Sequence, residues 1–419
     1  MAYSKGVKNL NWSLIYPPHP YLVNPDIRAP LGLLYIASVL EDLGEQVSID
    51  NFTGTPFYSL CIKEADVYGI TCTSIDIRMV EDLAKLIKTK YPNSKVIVGG
   101  VGTTIIEMFY GDDIDCFVVG EAELAMASIR QLILNNTLPK IIYGGNILNI
   151  DSIPFPARHL YSNALPLNII TSRGCYNSCS FCSSPFMYNH KVRFRSIDNI
   201  YAELNFLKKT YNTDYFIFED DMVTAKKSRL LELCNRIKDL NIRWRAMIRV
   251  KPLDSEMLSA MKDAGCEEVA VGVESFDNNV LKMLNKGTTV KDNVRALKLI
   301  EQAGIKCRLL MMIRTPGQTE ETLKLNKLFL QTVPYDTIAC TVFTPIPLSD
   351  IWMNPDKYNI EILDKDTNNY NYSFFDASGI RRIKSIFKIK NRNLEELNSE
   401  TEEFQRWLVD YTTVNKGVK

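Results

Sequence analysis

Three cysteines in one short loop are the residues of this chain best suited to redox chemistry. Cys175, Cys179 and Cys182 have the spacing C-x3-C-x2-C and directly follow an apolar run at 167–170 that we predict to be a β-strand. A structural zinc site takes four protein ligands, and most iron–sulfur clusters of electron carriers take four cysteines. Three thiolates would leave one iron open to a substrate or cofactor. The alternative, a zinc knuckle or three unrelated core cysteines, lacks a second C-x2-C or Cys-His pair nearby.

This motif resembles the signature of the radical S-adenosylmethionine (SAM) enzymes. The aromatic Phe181 before the third cysteine also matches, because that family places an aromatic residue there near the adenine of SAM. The resemblance implies a 4Fe-4S cluster whose open iron chelates the amino and carboxylate groups of SAM. It also implies that reduction of the cluster releases a 5′-deoxyadenosyl radical.

Polar residues follow several predicted strands in the second half of the chain, where parallel βα folds bind ligands. The resemblance implies that these residues contact SAM: the amino group through Glu219 and Asp220, the carboxylate through Arg249, and the methionine and ribose through Gly272, Glu274 and Ser275. Two of these positions also suit structural roles. The acidic pair fits a helix N-terminus, and the arginine fits an ion pair.

The segment Arg314-Thr315-Pro316-Gly317 departs from the resemblance. Arg314 and Thr315 stand where the family usually has Gly-Leu, at the predicted end of the fifth strand of this half. These two residues would either change the local packing or reach toward the substrate.

The first half of the chain is similar to the cobalamin-binding domain found ahead of many radical SAM barrels. The similarity starts at Leu14-Ile15-Tyr16-Pro17-Pro18, leads to Ala29-Pro30 and continues through short glycine-rich segments after the predicted strands. Small residues there would leave room for the nucleotide tail of the corrin. The resemblance implies cobalamin contacts from Thr71, Thr73, Ser74, Gly99, Gly100, Gly120 and Glu121.

No histidine lies in the Asp-x-His-x-x-Gly context that would place an imidazole below the cobalt. The chain has three histidines, His19, His159 and His190, all outside such a motif. The resemblance therefore implies base-off cobalamin without an imidazole ligand. The alternatives are a vestigial domain that binds no corrin and a dinucleotide site, although no G-x-G-x-x-G follows the first strand.

Two βα arrays must position these residues. Apolar runs alternating with helical patterns predict an α/β fold with an N-terminal doubly wound, Rossmann-like parallel sheet of five strands. Six further βα steps predict an open (β/α)6 partial TIM barrel, two steps short of a closed barrel. The predicted parts are a cobalamin-binding domain at 1–145, a proline-rich linker at 146–166, a radical SAM barrel at 167–348 and a helical C-terminal tail at 349–419.

Composition favours a protein without a membrane or nucleic-acid partner. Lysine plus arginine and aspartate plus glutamate each number 49 among the 419 residues, so no basic excess suggests nucleic acid. No window reaches the roughly 18 apolar residues of a membrane span, and the start lacks the apolar core of a signal peptide. We therefore expect a cytoplasmic protein whose scattered other cysteines are reduced.

Taken together, these features predict an enzyme similar to the cobalamin-dependent radical SAM methyltransferases, which methylate unactivated carbon or phosphorus centres. The resemblance implies a small-molecule or peptide substrate and an electron donor such as flavodoxin or ferredoxin. One enzymatic alternative is a cobalamin-independent cyclase, dehydratase or rearrangement enzyme with an idle B12 domain. A non-catalytic alternative, a redox sensor, would gain nothing from an open iron.

Overall fold

The structure is a computed structural model that describes residues 9–18, 28–161, 166–367, 370 and 385–416. The chain forms two compact units, Met1–Leu167 and Asn168–Lys419. His19, residues 162–165 of the predicted linker, and residues 368–369, 371–384 and 417–419 of the predicted tail lie outside the described residues. The limits of linker and tail stay predictions.

The first unit is built on one six-stranded sheet in the order β2-β1-β3-β4-β5-β6, and every neighbouring pair is parallel. Its strands are β1 (Asn11–Tyr16), β2 (Gln46–Asn51), β3 (Val67–Thr71), β4 (Lys95–Gly99), β5 (Cys116–Gly120) and β6 (Ile141–Gly145). The order reverses between β1 and β3, which makes their carboxyl ends the topological switch point of a doubly wound sheet. The predicted Rossmann-like fold is confirmed, with a sixth strand that the sequence prediction missed.

Three helices connect these strands: α1 (Leu31–Asp42), α2 (Ile77–Lys90) and α3 (Met126–Leu134). The apolar stripe of α1 determines its place, because Leu33, Ala37 and Leu40 pack in one core cluster with Trp12 and Leu14 of β1. Burial of these apolar side chains stabilises the sheet at roughly 25 cal/mol per Å². The core thus fixes the strands whose carboxyl ends carry the predicted cobalamin residues.

The second unit contains a six-stranded sheet in the sequential order β14-β13-β12-β11-β10-β7. Its strands are β7 (Leu167–Ile169), β10 (Tyr215–Phe218), β11 (Arg243–Arg249), β12 (Cys266–Glu274), β13 (Lys306–Ile313) and β14 (Thr337–Val342). The pairs from β10 to β14 are parallel. Sequential strands joined by helices are the arrangement of an open partial TIM barrel, as predicted.

The helices of this unit are α4 (Ser184–Met187), α5 (Ile197–Tyr211), α6 (Lys227–Ile237), α7 (Ser255–Asp263), α8 (Asn278–Met283), α9 (Val290–Gln302), α10 (Glu320–Thr332), α11 (Asp350–Met353) and α12 (Leu394–Lys416). Side-chain caps start several of them. Ser196 accepts from the N–H of Asn199 at α5, and Asp254 accepts from the N–H of Met257 at α7. Gly265 ends α7 with a positive φ of 88°, which suits a residue without a side chain.

Two small antiparallel pairs complete the second unit. Strands β8 (Ser172–Arg173) and β9 (Arg193–Phe194) enclose the cysteine loop. Strands β15 (Ile360–Ile362) and β16 (Phe387–Ile389) precede α12. Among the helices that the structure describes, none is both long enough and apolar enough to span a membrane.

Candidate active site

Two of the three motif cysteines are buried, and their sulfurs already accept hydrogen bonds. The Nη1 atom of Arg249 donates to Sγ of Cys179 over 3.0 Å, and the Nδ2 atom of Asn177 donates to Sγ of Cys175 over 3.2 Å. Cys179 is 3% exposed. Thiolates are the form of cysteine that ligates iron. Both donors would lie beside the sulfurs in a loop that binds iron.

The carboxylate of Asp220 fixes the start of this loop. Its Oδ1 atom accepts from the backbone N–H groups of Thr171 over 2.6 Å and Ser172 over 3.0 Å, and its Oδ2 atom accepts from the Thr171 hydroxyl. Burial raises the pKa of Asp220, although these hydrogen bonds and the charge of Arg229 oppose that shift. We infer that Asp220 is a positioning residue, and its contact with SAM stays a prediction.

Its neighbours at the end of β10 differ in exposure. Asp221 is exposed and accepts from the N–H of Gly174 over 3.1 Å, so it also supports the loop. Gly174 has a φ of 97° and a Cβ there would collide with the carbonyl of Lys191. Glu219 is half-buried, and its N–H donates to the carbonyl of Ile169 over 2.8 Å.

The segment after α8 holds the other side of the cysteine loop. Ser180 donates its N–H to the carbonyl of Leu284 over 2.9 Å, and Asn285 donates from Nδ2 to the carbonyl of Ser178 over 2.6 Å. Nη2 of Arg249 donates to the carbonyl of Lys286. One arginine therefore bridges a cysteine sulfur and this segment.

A buried ion pair lies at the end of β12. Nζ of Lys286 is 2.6 Å from Oε1 of Glu274, and both side chains are almost fully buried. The same Nζ lies 5.6 Å from the ring centroid of Phe181. A Cβ on Gly272 would lie 2.6 Å from Oε1 of Glu274, so a side chain there would displace this carboxylate. Phe181, Gly272, Glu274 and Lys286 therefore form one polar and aromatic wall beside the loop.

Ser275 faces a different network. Its side chain is 1% exposed, and its Oγ accepts from the N–H of Asp277 over 3.2 Å and lies 3.4 Å from Oδ1 of Asn326. The hydroxyl is therefore already engaged within the protein. Its contact with SAM stays a prediction, and the structure gives it a role in fixing the turn after Glu274, whose φ is 66°.

The cysteine loop offers three free thiols and one buried donor to a bound group. Within the described ranges, no group of three or more Cys, His, Asp or Glu side chains is arranged around one metal position. A tetrahedral zinc site would need sulfurs about 3.8 Å apart, whereas in a cubane cluster each cysteine binds its own iron. The buried Nε of Arg249 has no acceptor among the described residues. Three thiols and a buried donor fit a 4Fe-4S cluster with a polar ligand such as SAM.

Burial also raises the pKa of Cys182 to about 12, and Cys179, Asp221 and Cys175 raise it further. This shift shows that the three cysteines are near enough to affect one another's charge. Ligation of iron by Cys182 would therefore require loss of the thiol proton.

In the first unit, the loops after β3 and β4 are bound to each other through their backbones. The N–H of Cys72 donates to the carbonyl of Gly99 over 2.8 Å, and the N–H of Gly102 donates to the carbonyl of Cys72 over 2.9 Å. A Cβ on Gly100, whose φ is 94°, would lie 2.7 Å from the Cys72 carbonyl oxygen, whereas a Cβ on Gly99 would meet nothing within 4 Å. Gly99 therefore borders the open space, and Gly100 is needed for loop packing.

The remaining predicted cobalamin residues surround the same sheet edge. Thr73 donates from Oγ1 to Oδ2 of Asp76 over 2.6 Å, while Thr71 and Ser74 are half-buried. The N–H of Glu121 donates to the carbonyl of Gly145 over 3.2 Å. Gly120 has a φ of 90°. The carboxyl ends of β3, β4 and β5 are neighbours in the sheet, so these residues share one edge, and their contacts with cobalamin stay a prediction.

Sequence reasoning missed two side chains that now belong to the candidate site, Lys286 and Asn177. Lys286 lies between Asn285 and Gly287, both with positive φ values of 48° and 72°. An Asn-x-Gly segment after a helix is a turn signal, but only the folded structure shows that the lysine reaches Glu274. Asn177 lies between the first two cysteines, so the sequence already showed that it is close to them.

A three-thiol loop at the mouth of an open partial barrel, preceded by a doubly wound sheet with a small-residue edge, defines a class of iron–sulfur enzyme with a second cofactor domain. Residues 169–328 match the model of the radical SAM superfamily, and residues 26–130 match that of the B12 binding domain. These two matches confirm the radical SAM and B12-binding domains predicted for this chain. Its cofactors are a 4Fe-4S cluster, SAM and cobalamin.

The chain is similar to several known proteins. It is 28% identical to an uncharacterized methyltransferase of Pyrococcus horikoshii over 77% of each chain. It is 23% identical to the anaerobic magnesium-protoporphyrin IX monomethyl ester cyclase of Rubrivivax gelatinosus, over 81% of this chain and 65% of the cyclase. Its fold matches the radical SAM methyltransferase TsrM of Kitasatospora setae, solved with tryptophan and a SAM analogue. That match has a TM-score of 0.71 and 16% identity, over 95% of this chain and 89% of TsrM.

Proposed function

We propose that this enzyme is a cobalamin-dependent methyltransferase that acts on an unactivated carbon or phosphorus of a small-molecule substrate. The observation that supports this most is the combination, in one chain, of an open three-thiol loop and a B12-binding unit with free space at Gly99. When bound, the cluster and SAM supply a 5′-deoxyadenosyl radical, and cobalamin supplies the methyl group.

The residues of the second unit then have separate tasks. Asp220 holds the first turn of the cysteine loop, and Arg249 neutralises charge at Cys179. Glu274 presents carboxylate oxygens beside Phe181, where ribose hydroxyls of SAM would donate. Lys286 compensates the charge of Glu274. The protein thus orients the cofactors and excludes water from the radical.

The named relatives favour methyl transfer, because the Pyrococcus protein and TsrM are both called methyltransferases. A second candidate function, radical ring closure without methyl transfer, is supported by the similarity to the cyclase. The two differ in one product. Methyl transfer from SAM leaves S-adenosylhomocysteine, whereas a radical cyclisation leaves 5′-deoxyadenosine alone.

The test uses iron-reconstituted protein under anaerobic conditions with hydroxocobalamin, SAM and a chemical reductant. We expect one cobalamin bound per chain, with the spectrum of cobalt lacking an imidazole ligand, and S-adenosylhomocysteine that depends on added cobalamin. Well-folded protein that binds no cobalamin and forms only 5′-deoxyadenosine would exclude the methyltransferase and favour the cyclase-like function.

A further inference from the structure

Arg314 is a buried arginine at the mouth of the second unit. It directly follows β13, at the strand end where parallel βα folds bind ligands. Its side chain is 2% exposed, and its φ is 60°, a region that residues with a side chain seldom adopt. The N–H of Arg314 donates to Oε1 of Gln318 over 2.6 Å, which holds this backbone conformation. Such backbone strain is concentrated at functional sites.

The guanidinium has only neutral acceptors. Nη1 donates to Oδ1 of Asn398 over 2.8 Å, and Nη2 donates to Oγ of Ser385 over 3.1 Å and to the carbonyl of Phe387 over 3.3 Å. The ring of Phe387 lies 5.2 Å from the guanidinium carbon. Nε has no acceptor among the described residues. An arginine has five N–H donors, and these contacts use three.

Arg314 also lacks a compensating charge within the described part of the chain. Burial alone lowers the pKa of Arg314, to about 10, with no contribution from a nearby carboxylate. The group therefore remains protonated at neutral pH. The contrast is Arg195 in the same unit, which is equally buried but lies 2.5 Å from the buried carboxylate of Glu203.

A buried charge without a partner is costly for folding, and a neutral side chain could hold the same three acceptors at lower cost. The adjacent Thr315 supplies a second buried donor, because its Oγ1 has no partner among the described residues. We propose that Arg314, with Thr315, binds an oxyanion of the substrate, a carboxylate or a phosphate group. This inference rests on the proposed function, because it presumes a substrate at the barrel mouth.

The existing contacts indicate how the oxyanion would bind. All three acceptors of Arg314 belong to the tail segment 385–398, and all are uncharged. Both the existing contacts and a contact with an oxyanion are charge-assisted, but only the oxyanion would also compensate the buried positive charge. A substrate oxyanion would therefore replace part of the tail at the guanidinium. Substrate binding and the position of Ser385 are coupled in this proposal.

The test measures anion binding directly, with sodium phosphate and sodium acetate as probes. Iron-reconstituted protein, saturated with SAM and hydroxocobalamin, is titrated with each anion at constant ionic strength against sodium chloride. The thermal unfolding midpoint is followed, because a ligand of the folded state raises it in a saturable way. A response to phosphate alone or to acetate alone identifies which oxyanion the site accepts.

The variants separate binding from a merely structural role. We expect Arg314→Gln, which can still donate to the tail, to lose the anion response. Arg314→Lys keeps the charge but not the planar fork, and should weaken apparent affinity about tenfold, or about 1.4 kcal/mol. Arg295→Gln, an exposed arginine of the same unit, should respond as wild type.

Two results would overturn the proposal: no saturable anion response in the wild-type protein, or an unchanged response in both Arg314 variants. The wild-type titration remains informative even if a variant fails to fold. Failure of methyl transfer would not affect this test, because no turnover is required.

Discussion

The guanidinium of Arg249 donates a hydrogen bond to Sγ of Cys179, 3.0 Å away, and its other end donates to the carbonyl of Lys286. The last residue of β11 thus contacts both the cysteine loop and the segment after α8. Positive charge and hydrogen bonds at a cluster sulfur favour the reduced, more negative state of the cluster. We therefore expect the residue predicted to bind the SAM carboxylate to affect the reduction potential of the cluster as well.

The first prediction concerns this contact. Arg249→Met should make the reduction potential of the reconstituted cluster more negative, because it removes a donor and a positive charge beside Cys179. SAM affinity should fall as well. An anaerobic redox titration followed by electron paramagnetic resonance measures the potential. The matched control is Arg243→Met, at the exposed amino end of the same strand. An equal reduction potential in both variants would show that Arg249 does not affect the cluster.

The buried pair of Glu274 and Lys286 allows structural and ligand effects to be separated. Glu274→Ala leaves Lys286 buried without its partner, and breaking such a pair costs about 3–5 kcal/mol. The double variant with Lys286→Met should recover much of that stability. Both the single and the double variant should bind SAM at least about tenfold more weakly than the wild-type protein. Urea denaturation and equilibrium binding of SAM measure the two effects, and wild-type SAM affinity in the stable double variant would exclude Glu274 as a ligand.

A third prediction tests Asp220 as a positioning residue. Asp220→Ala leaves the N–H groups of Thr171 and Ser172 without their acceptor, which costs about 1–3 kcal/mol for each buried group. We expect a lower urea midpoint together with a lower iron content after reconstitution. Asp214→Ala, at the exposed residue directly before the same strand, should change neither. Full stability and full iron content in Asp220→Ala would exclude the positioning role. The predicted SAM contact would then be the remaining role of Asp220.

The corrin site is tested at two adjacent glycines. Gly99→Leu should reduce hydroxocobalamin affinity at least about tenfold without destabilising the protein, because a Cβ there meets open space. Gly100→Leu should destabilise the first unit, because its Cβ would press on the Cys72 carbonyl. Lys95→Leu, at the amino end of β4, is the control. Unchanged cobalamin binding in Gly99→Leu would show that the nucleotide tail does not bind at this edge of the sheet.

Local patterns in the sequence predicted most of the fold. Apolar runs predicted six strands for the second unit, and its main sheet has six, because a buried strand is marked by consecutive apolar residues. Ser196 and Asp254 cap their helices through a local hydrogen bond, which is the kind of feature that a sequence pattern can indicate. Strand β6 was missed because it is a half-exposed edge strand ending in two glycines, a pattern that is also typical of a loop.

The site was less predictable because its chemistry depends on contacts between distant residues. The sequence pattern Asn285-Lys286-Gly287 indicates a turn. The contact of Lys286 with Glu274 depends on how α8 packs, which the pattern does not show. The sequence and the structure give different physical reasons for a glycine at position 100, Gly100. That Gly100 makes room for a ligand stays a prediction, and the structure adds that a Cβ there would press on the Cys72 carbonyl.

The most direct test of the account is SAM cleavage by the three-cysteine loop. Anaerobically reconstituted wild-type protein should bind about four irons per chain and, once reduced, convert SAM to 5′-deoxyadenosine. Cys179→Ala should lose both the cluster and the cleavage, whereas Cys234→Ala, a buried cysteine of α6, should retain both. Stoichiometric zinc without iron in the wild-type protein, or full cleavage activity in Cys179→Ala, would contradict the account.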